Sequence, residues 1–178
     1  MIANMNHPEF IAKLKDSICV ADWHKRYYTK QAGKYCKIDD RIKSSLGLIA
    51  IIGAIMAGTN YFRVFGACLS GGCAFILSKF LPNYSWDAKV SGFKSEQDEW
   101  TRIFQGFEGL FHMYQILERD EMITQEFQKV EELRKASQLN DRRLPIDKKL
   151  LKETQMEVRQ YWRTKWGEEV ILPTELTG

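Results

Sequence analysis

Residues 44–78, SSLGLIAIIGAIMAGTNYFRVFGACLSGGCAFILS, contain only one Lys, Arg, Asp or Glu, which is Arg63. They lie in a 178-residue chain that is 44% hydrophobic and 28% charged, with a formal charge of +3. The mean hydropathy of -0.37 would suit an ordinary water-exposed domain, so the charge-free stretch decides the reading. Ser44 to Phe62 and Val64 to Leu81 would each be about 27 to 29 Å long as helices, just enough to cross a bilayer. Asn60 to Arg63 then reads as the tip of a tight hairpin. Lys30, Lys34, Lys37, Arg41 and Lys43 precede the first run, and Lys79, Lys89 and Lys94 follow the second. That asymmetry predicts a bacterial inner-membrane location with both termini cytoplasmic. The aromatics Tyr61 and Phe62, and Tyr84 with Trp86, sit where interfacial rings belong. A cleaved signal peptide is disfavoured by the 43 residues ahead of the run. A buried hairpin of a water-exposed protein is disfavoured, because the rest of the chain offers too little apolar surface to surround it.

The expected fold is therefore an all-α membrane protein: a transmembrane hairpin over 44–82 continued by long cytoplasmic helices and forming an oligomeric bundle. The other segments are a basic-aromatic N-terminal helix (1–43), a long cytoplasmic helix (83–138) and a basic-aromatic C-terminal helix and tail (139–178). Small residues form rows, Ala50, Ala54 and Gly58 in the first span and Gly66, Ser70, Ala74 and Ser78 in the second. Such rows either pack the hairpin on itself or, in an oligomer, face neighbours or line a pore. The second row supplies the pore-lining candidates.

Ile11, Leu14, Ile18, Ala21, Tyr28, Ala32, Tyr35, Ile38 and Ile42 form one helical seam, with Gly33 as its weak point. From about Asp87 to Ser137 a second helix carries an aromatic seam: Phe93, Trp100, Phe104, Phe107, Phe111 and Tyr114. Trp100 through Tyr114 are assigned to oligomer packing, in a homo-oligomer of four or more subunits with coiled-coil character. A break at Asn140, Asp141 and Pro145 precedes a helix to about Gly167. Asn83–Gln138 carries seven Lys/Arg against eleven Asp/Glu, and Leu139–Trp166 eight against four, so charge is segregated, net -4 then net +4. Arg142, Arg143, Lys148, Lys149, Arg159, Trp162, Arg163 and Trp166 combine cations with aromatic faces, the ingredients of a nucleotide or single-strand site. A packing or membrane-surface helix is the competing reading of the same residues.

Catalytic patterns are missing. His7, His24 and His112 have no metal-ligand spacing, Gly71-Gly72 lacks the Lys of a phosphate loop, and no Ser sits in a nucleophile elbow. Cys19, Cys36, Cys68 and Cys73 read as reduced packing residues. No metal, cofactor or enzymatic activity is expected.

Trp23-His24-Lys25-Arg26-Tyr27-Tyr28, then Lys34-Tyr35-Cys36-Lys37-Ile38-Asp39-Asp40-Arg41 leading into a Gly/Ala-rich hairpin, resemble the SLATT family over roughly Phe10 to Val130. These are two-transmembrane effectors that accompany bacterial nucleotide-signalling and antiphage genes. The resemblance implies an oligomeric pore or ion channel that depolarises the inner membrane. Its control would be a nucleotide or oligonucleotide made by a companion nucleotidyltransferase, with membrane lipid as the other partner. Two readings compete with the channel: a membrane-anchored coiled-coil scaffold that recruits a cytoplasmic partner without conducting, and a holin, disfavoured by the mass outside the hairpin.

Overall fold

The computed structural model describes residues 7–80, 86–117, 121–140, 144–170 and 172–173. The regular elements among them are all helical: α1 (His7–Ala57), α2 (Arg63–Phe75) running on as a π-helical turn (Ile76–Phe80), α3 (Trp86–Leu117), α4 (Glu121–Asn140) and α5 (Lys148–Trp166). They divide into two compact units, Met1–Lys30 with Phe93–Gly178, and Gln31–Gly92. Helix α1 contributes residues to both and is unbroken at Gly33.

The first unit is a four-helix bundle. The seam residues Leu14, Ile18 and Ala21 of α1 are buried, together with Phe10, Trp23 and Tyr27. On α3 the buried residues Phe93, Glu96, Trp100, Ile103, Phe107, Leu110 and Tyr114 recur at three- and four-residue steps, the period of one helical face. His24 stacks on Trp100 with ring centroids 3.9 Å apart, while Phe10 meets Tyr114 at 5.3 Å. Low numbers on α1 thus pair with high numbers on α3, and the two helices run antiparallel. Phe107 meets Phe127 at 5.5 Å, Gly106 lies beneath the methyls of Val130, and the Ser137 hydroxyl bonds the Glu99 carboxylate. Helix α4 therefore folds back along α3. The single helix expected from about Asp87 to Ser137 is two, one ending at Leu117 and the other beginning at Glu121.

The fourth helix, α5, begins where its chemistry requires. The Asp147 carboxylate accepts from the backbone N–H groups of Lys149 (3.1 Å) and Leu150 (3.2 Å), satisfying donors that no helical carbonyl can reach. The Asp147 N–H in turn donates to the Tyr27 hydroxyl on α1 at 3.0 Å. Gly167 closes the helix in the left-handed region, φ 71°, with its N–H on the Arg163 carbonyl. Helix α5 lies over α3, with Trp162 6.5 Å from Phe104 and Trp166 5.9 Å from Phe111, centroid to centroid. Trp100, Phe104, Phe107, Phe111 and Tyr114, assigned from the sequence to packing between subunits, are thus buried or half-buried by helices of their own chain.

In the second unit the end of α1 and α2 form a hairpin whose crossing is backbone on backbone. A Cβ added to Gly66 would lie 2.5 Å from the Gly53 carbonyl oxygen, and one added to Gly53 would lie 2.8 Å from the Ser70 nitrogen. The turn is held by the N–H groups of Gly58 and Thr59 on the carbonyls of Ile55 (3.1 Å) and Met56 (3.0 Å).

That turn corrects the membrane expectation. Among the described residues no helix is long and apolar enough to cross a membrane. The transmembrane hairpin, the ion channel built from it and the inner-membrane placement with both termini cytoplasmic are overturned by this finding. The physical reason is helix length. Counting apolar residues ran 44–62 and 64–81 together as spans, whereas α1 stops at Ala57 and α2 has 13 residues before the π-helical turn. The charge-free helical stretches, Ser44–Ala57 and Val64–Ser78, extend only about 21 and 22 Å at 1.5 Å per residue, against a hydrocarbon core of about 30 Å.

The hairpin crossing is testable. Gly66→Ala is expected to cost about 1 to 3 kcal/mol as overpacking, seen as lost amide protection across residues 50–70 in hydrogen exchange. Gly71→Ala, whose Cβ would meet nothing within 4 Å, is expected to preserve or raise that protection.

Candidate functional site

Helix α5 is locked in place by a buried charge. Asp22 on α1 is 1% exposed. Its carboxylate accepts from Arg26 Nε at 2.9 Å, one turn along, and from the Trp162 indole N–H at 3.0 Å. Lys25 Nζ stands 3.8 Å away. A carboxylate removed from water needs such donors, and here one of them comes from a helix 140 residues later. The neighbouring cations work in the same interface: Lys25 Nζ lies 4.0 Å from the Phe104 centroid and the Arg26 guanidinium 4.8 Å from that of Tyr161. The basic-aromatic run from Trp23 to Tyr28 is therefore engaged in holding helices of one chain together.

Trp162 so fixed brings Trp166 to 4.2 Å, centroid to centroid, and a cleft of about 480 Å³ opens beside them. Its aromatic floor is Trp166 and Phe111, bordered by Trp162, and its polar lining includes Lys15, Lys165, Glu108 and His112. Lys165 Nζ is 4.0 Å from the Glu108 carboxylate and 4.7 Å from the Trp162 centroid. Lys15 Nζ is 5.4 Å from the Trp166 centroid and donates to both oxygens of the Glu168 carboxylate at 2.9 Å. Cations at the rim of an aromatic floor can hold an anion while a ring lies on the floor.

The ligand candidates read from the sequence are placed unevenly. Arg142 and Arg143 lie outside the described residues. Lys148 and Lys149 are exposed on the first turn of α5, Lys149 standing 4.0 Å from Glu153. Arg159 donates to the Leu172 carbonyl at 3.3 Å, and Arg163 lines a separate groove with Met156, Gln160, Glu169 and Val170. Trp162 is 2% exposed, so its ring faces belong to the core, while half-buried Trp166 shares the cleft. Lys15, Glu108 and Glu168 were not singled out from the sequence, and His112 was weighed only as a metal ligand. They come from two helices, α1 and α3, and the segment after α5, and no local spacing links them. Of the pore-lining candidates, Gly66 is filled by the opposite helix, Ser70 is half-buried beside Gly53, and Ala74 and Ser78 are exposed. Among the described residues no group of three His, Cys, Asp or Glu is placed to hold a metal ion.

A second surface stands out in the hairpin unit. Leu48, Ile51, Ile55, Phe62, Val64, Phe65 and Phe75 are each more than half exposed. Glycines made the crossing, so the large side chains point away from it.

No family model, curated protein or solved structure matches the chain. The SLATT resemblance rests on the residues that carry it.

Two predictions follow from this geometry. Trp162→Phe keeps an aromatic ring but removes the donor to Asp22, and is expected to lower stability by about 1.5 to 3 kcal/mol, read from the urea midpoint. The second concerns the thiols. Burial, with Asp16 and Asp22 alongside, pushes the Cys19 thiol from its ordinary 9.0 to about 12. Cys68 is exposed. At pH 8 a thiol reagent is expected to modify Cys68 in the folded protein and Cys19 only after unfolding. Because the unfolded chain ionises Cys19 first, this group's contribution to stability falls as pH rises from about 9 towards about 12.

Proposed function

We propose that the protein is an assembly scaffold, in which a self-contained helical bundle carries an apolar hairpin through which copies of the chain associate. The observation that carries this reading is the run of large apolar side chains, each more than half exposed, between Leu48 and Phe75. Monomeric proteins rarely leave contiguous apolar patches of more than a few hundred Å² open. With Arg63 as the one charge between residues 44 and 78, the surface offers nothing to a charged partner. Another copy of the same surface complements it, as symmetric assemblies require. The bundle supports the division of labour, because its aromatic seam is covered from within and leaves association to the hairpin. Conduction has no part in this reading.

Sedimentation equilibrium in mild detergent and in buffer tests it. A homo-oligomer of four or more copies is expected. Ile51→Glu with Ile55→Glu is expected to weaken association by about 3 to 6 kcal/mol, two apolar anchors lost, with the helical content of the bundle unchanged. A monodisperse wild-type monomer at high concentration, or a monomer that floats with lipid vesicles, overturns self-association.

A further inference from the structure

We propose that the cleft bordered by α1, α3 and α5 binds a planar aromatic compound bearing an anionic group, and that Glu168 holds the anion position until such a compound displaces it. This inference is independent of the assembly reading and rests on the bundle alone.

The floor decides the aromatic part. Trp166 and Phe111 lie 5.9 Å apart, inclined by 41°, and both are only half-buried, so aromatic area stays open to the cleft. A planar ring laid on it gains stacking and loses poorly satisfied water. The rim decides the anionic part. Lys15 Nζ sits 5.4 Å from the Trp166 centroid and Lys165 Nζ 4.7 Å from that of the adjoining Trp162. A ring on this floor therefore carries its substituent within reach of one ammonium or both. A cleft of about 480 Å³ has room for a compound of that size.

Glu168 shows how the position is used when no such compound is there. It directly follows Gly167, whose φ of 71° turns the chain back at the end of α5. The turned chain sets both carboxylate oxygens 2.9 Å from Lys15 Nζ, across 153 residues of sequence. The Glu168 side chain is 62% exposed, so the pair is one that water weakens and an incoming anion can replace at little cost. The second cation is loosely held as well, Lys165 being 4.0 Å from Glu108. Exchange of Glu168 for the compound's anion would keep the charge balance at Lys15 and free the turn after Gly167, leaving the later segment tied by Gln155 and Arg159 to the carbonyls of Pro173 and Leu172.

The shared chemistry could be an aromatic carboxylate or a nucleotide phosphate, and the test separates them. Indole-3-carboxylate and adenosine 5′-monophosphate are titrated into the full chain at low salt, with adenosine and inorganic phosphate as half-ligands, by calorimetry and by the indole N–H resonances. At least one of the two anionic aromatics is expected to bind in the submillimolar range, and the half-ligands far more weakly. Glu168→Gln is expected to tighten binding roughly two- to fivefold, the worth of an exposed ion pair removed from competition. Lys15→Met, Lys165→Met and Trp166→Leu are each expected to weaken it about tenfold or more, with circular dichroism unchanged. The proposal is overturned if neither compound binds the Glu168→Gln protein, if a half-ligand binds as well as the whole, or if affinity ignores the three cleft substitutions.

Discussion

A carboxylate with almost no access to water governs the bundle. Asp22 could not sit where it does without donors, and Arg26 on the next turn supplies only one side of it. The other side is Trp162, so α5 cannot leave without breaking a buried hydrogen bond to a charged group. Much else follows from that attachment. Trp162 covers Phe104, Trp166 reaches Phe111, and Lys165 comes near Glu108, so the aromatic seam of α3 is closed by the same helix that the acid holds. The Asp147 cap, anchored on Tyr27, fixes the opposite end of α5 against α1 as well.

The two units solve the packing problem in opposite ways. In the bundle, large rings are inside and the close approach of Gly106 to Val130 is an exception among aromatic contacts. In the hairpin, Gly53 and Gly66 are inside and Leu48, Ile51, Ile55, Val64 and Phe65 are outside. A bundle built the first way is complete when its helices meet. A hairpin built the second way has spent only its smallest residues on itself, and its apolar area remains available to something else.

Helix content and several boundaries were legible in the sequence. The segment expected from about Pro145 to Gly167 is α5, Lys148–Trp166, because Pro before a periodic run and Gly after it are helix-end signals. The reversal between α3 and α4 was not legible, since Ile123, Phe127 and Val130 keep the helical period whether they face another subunit or fold back on Phe107. For the same reason the aromatic seam suggested a missing partner, when α4 and α5 of the same chain supply the cover. The charge-free stretch misled in another way. Hydropathy counts side chains, but spanning depends on uninterrupted helix, and the hydrogen-bonded turn at Gly58 and Thr59 ends it. Trp162 and Trp166 attracted notice as aromatics beside cations. Whether such a ring meets a ligand or a buried aspartate 140 residues away is a tertiary fact that no local pattern encodes.

The glycine crossing has a consequence for how this surface can change over generations. Where helices touch by interlocking side chains, every outward substitution alters the fit within. At Gly53 and Gly66 the contact is between main chains, which are the same whatever residues flank them. The outer positions of the hairpin can exchange Leu, Ile, Val and Phe without disturbing its closure. Drift there tunes what the surface meets, while residues 53 and 66 stay confined to glycine, a separation of fold from affinity carried by two missing methyl groups.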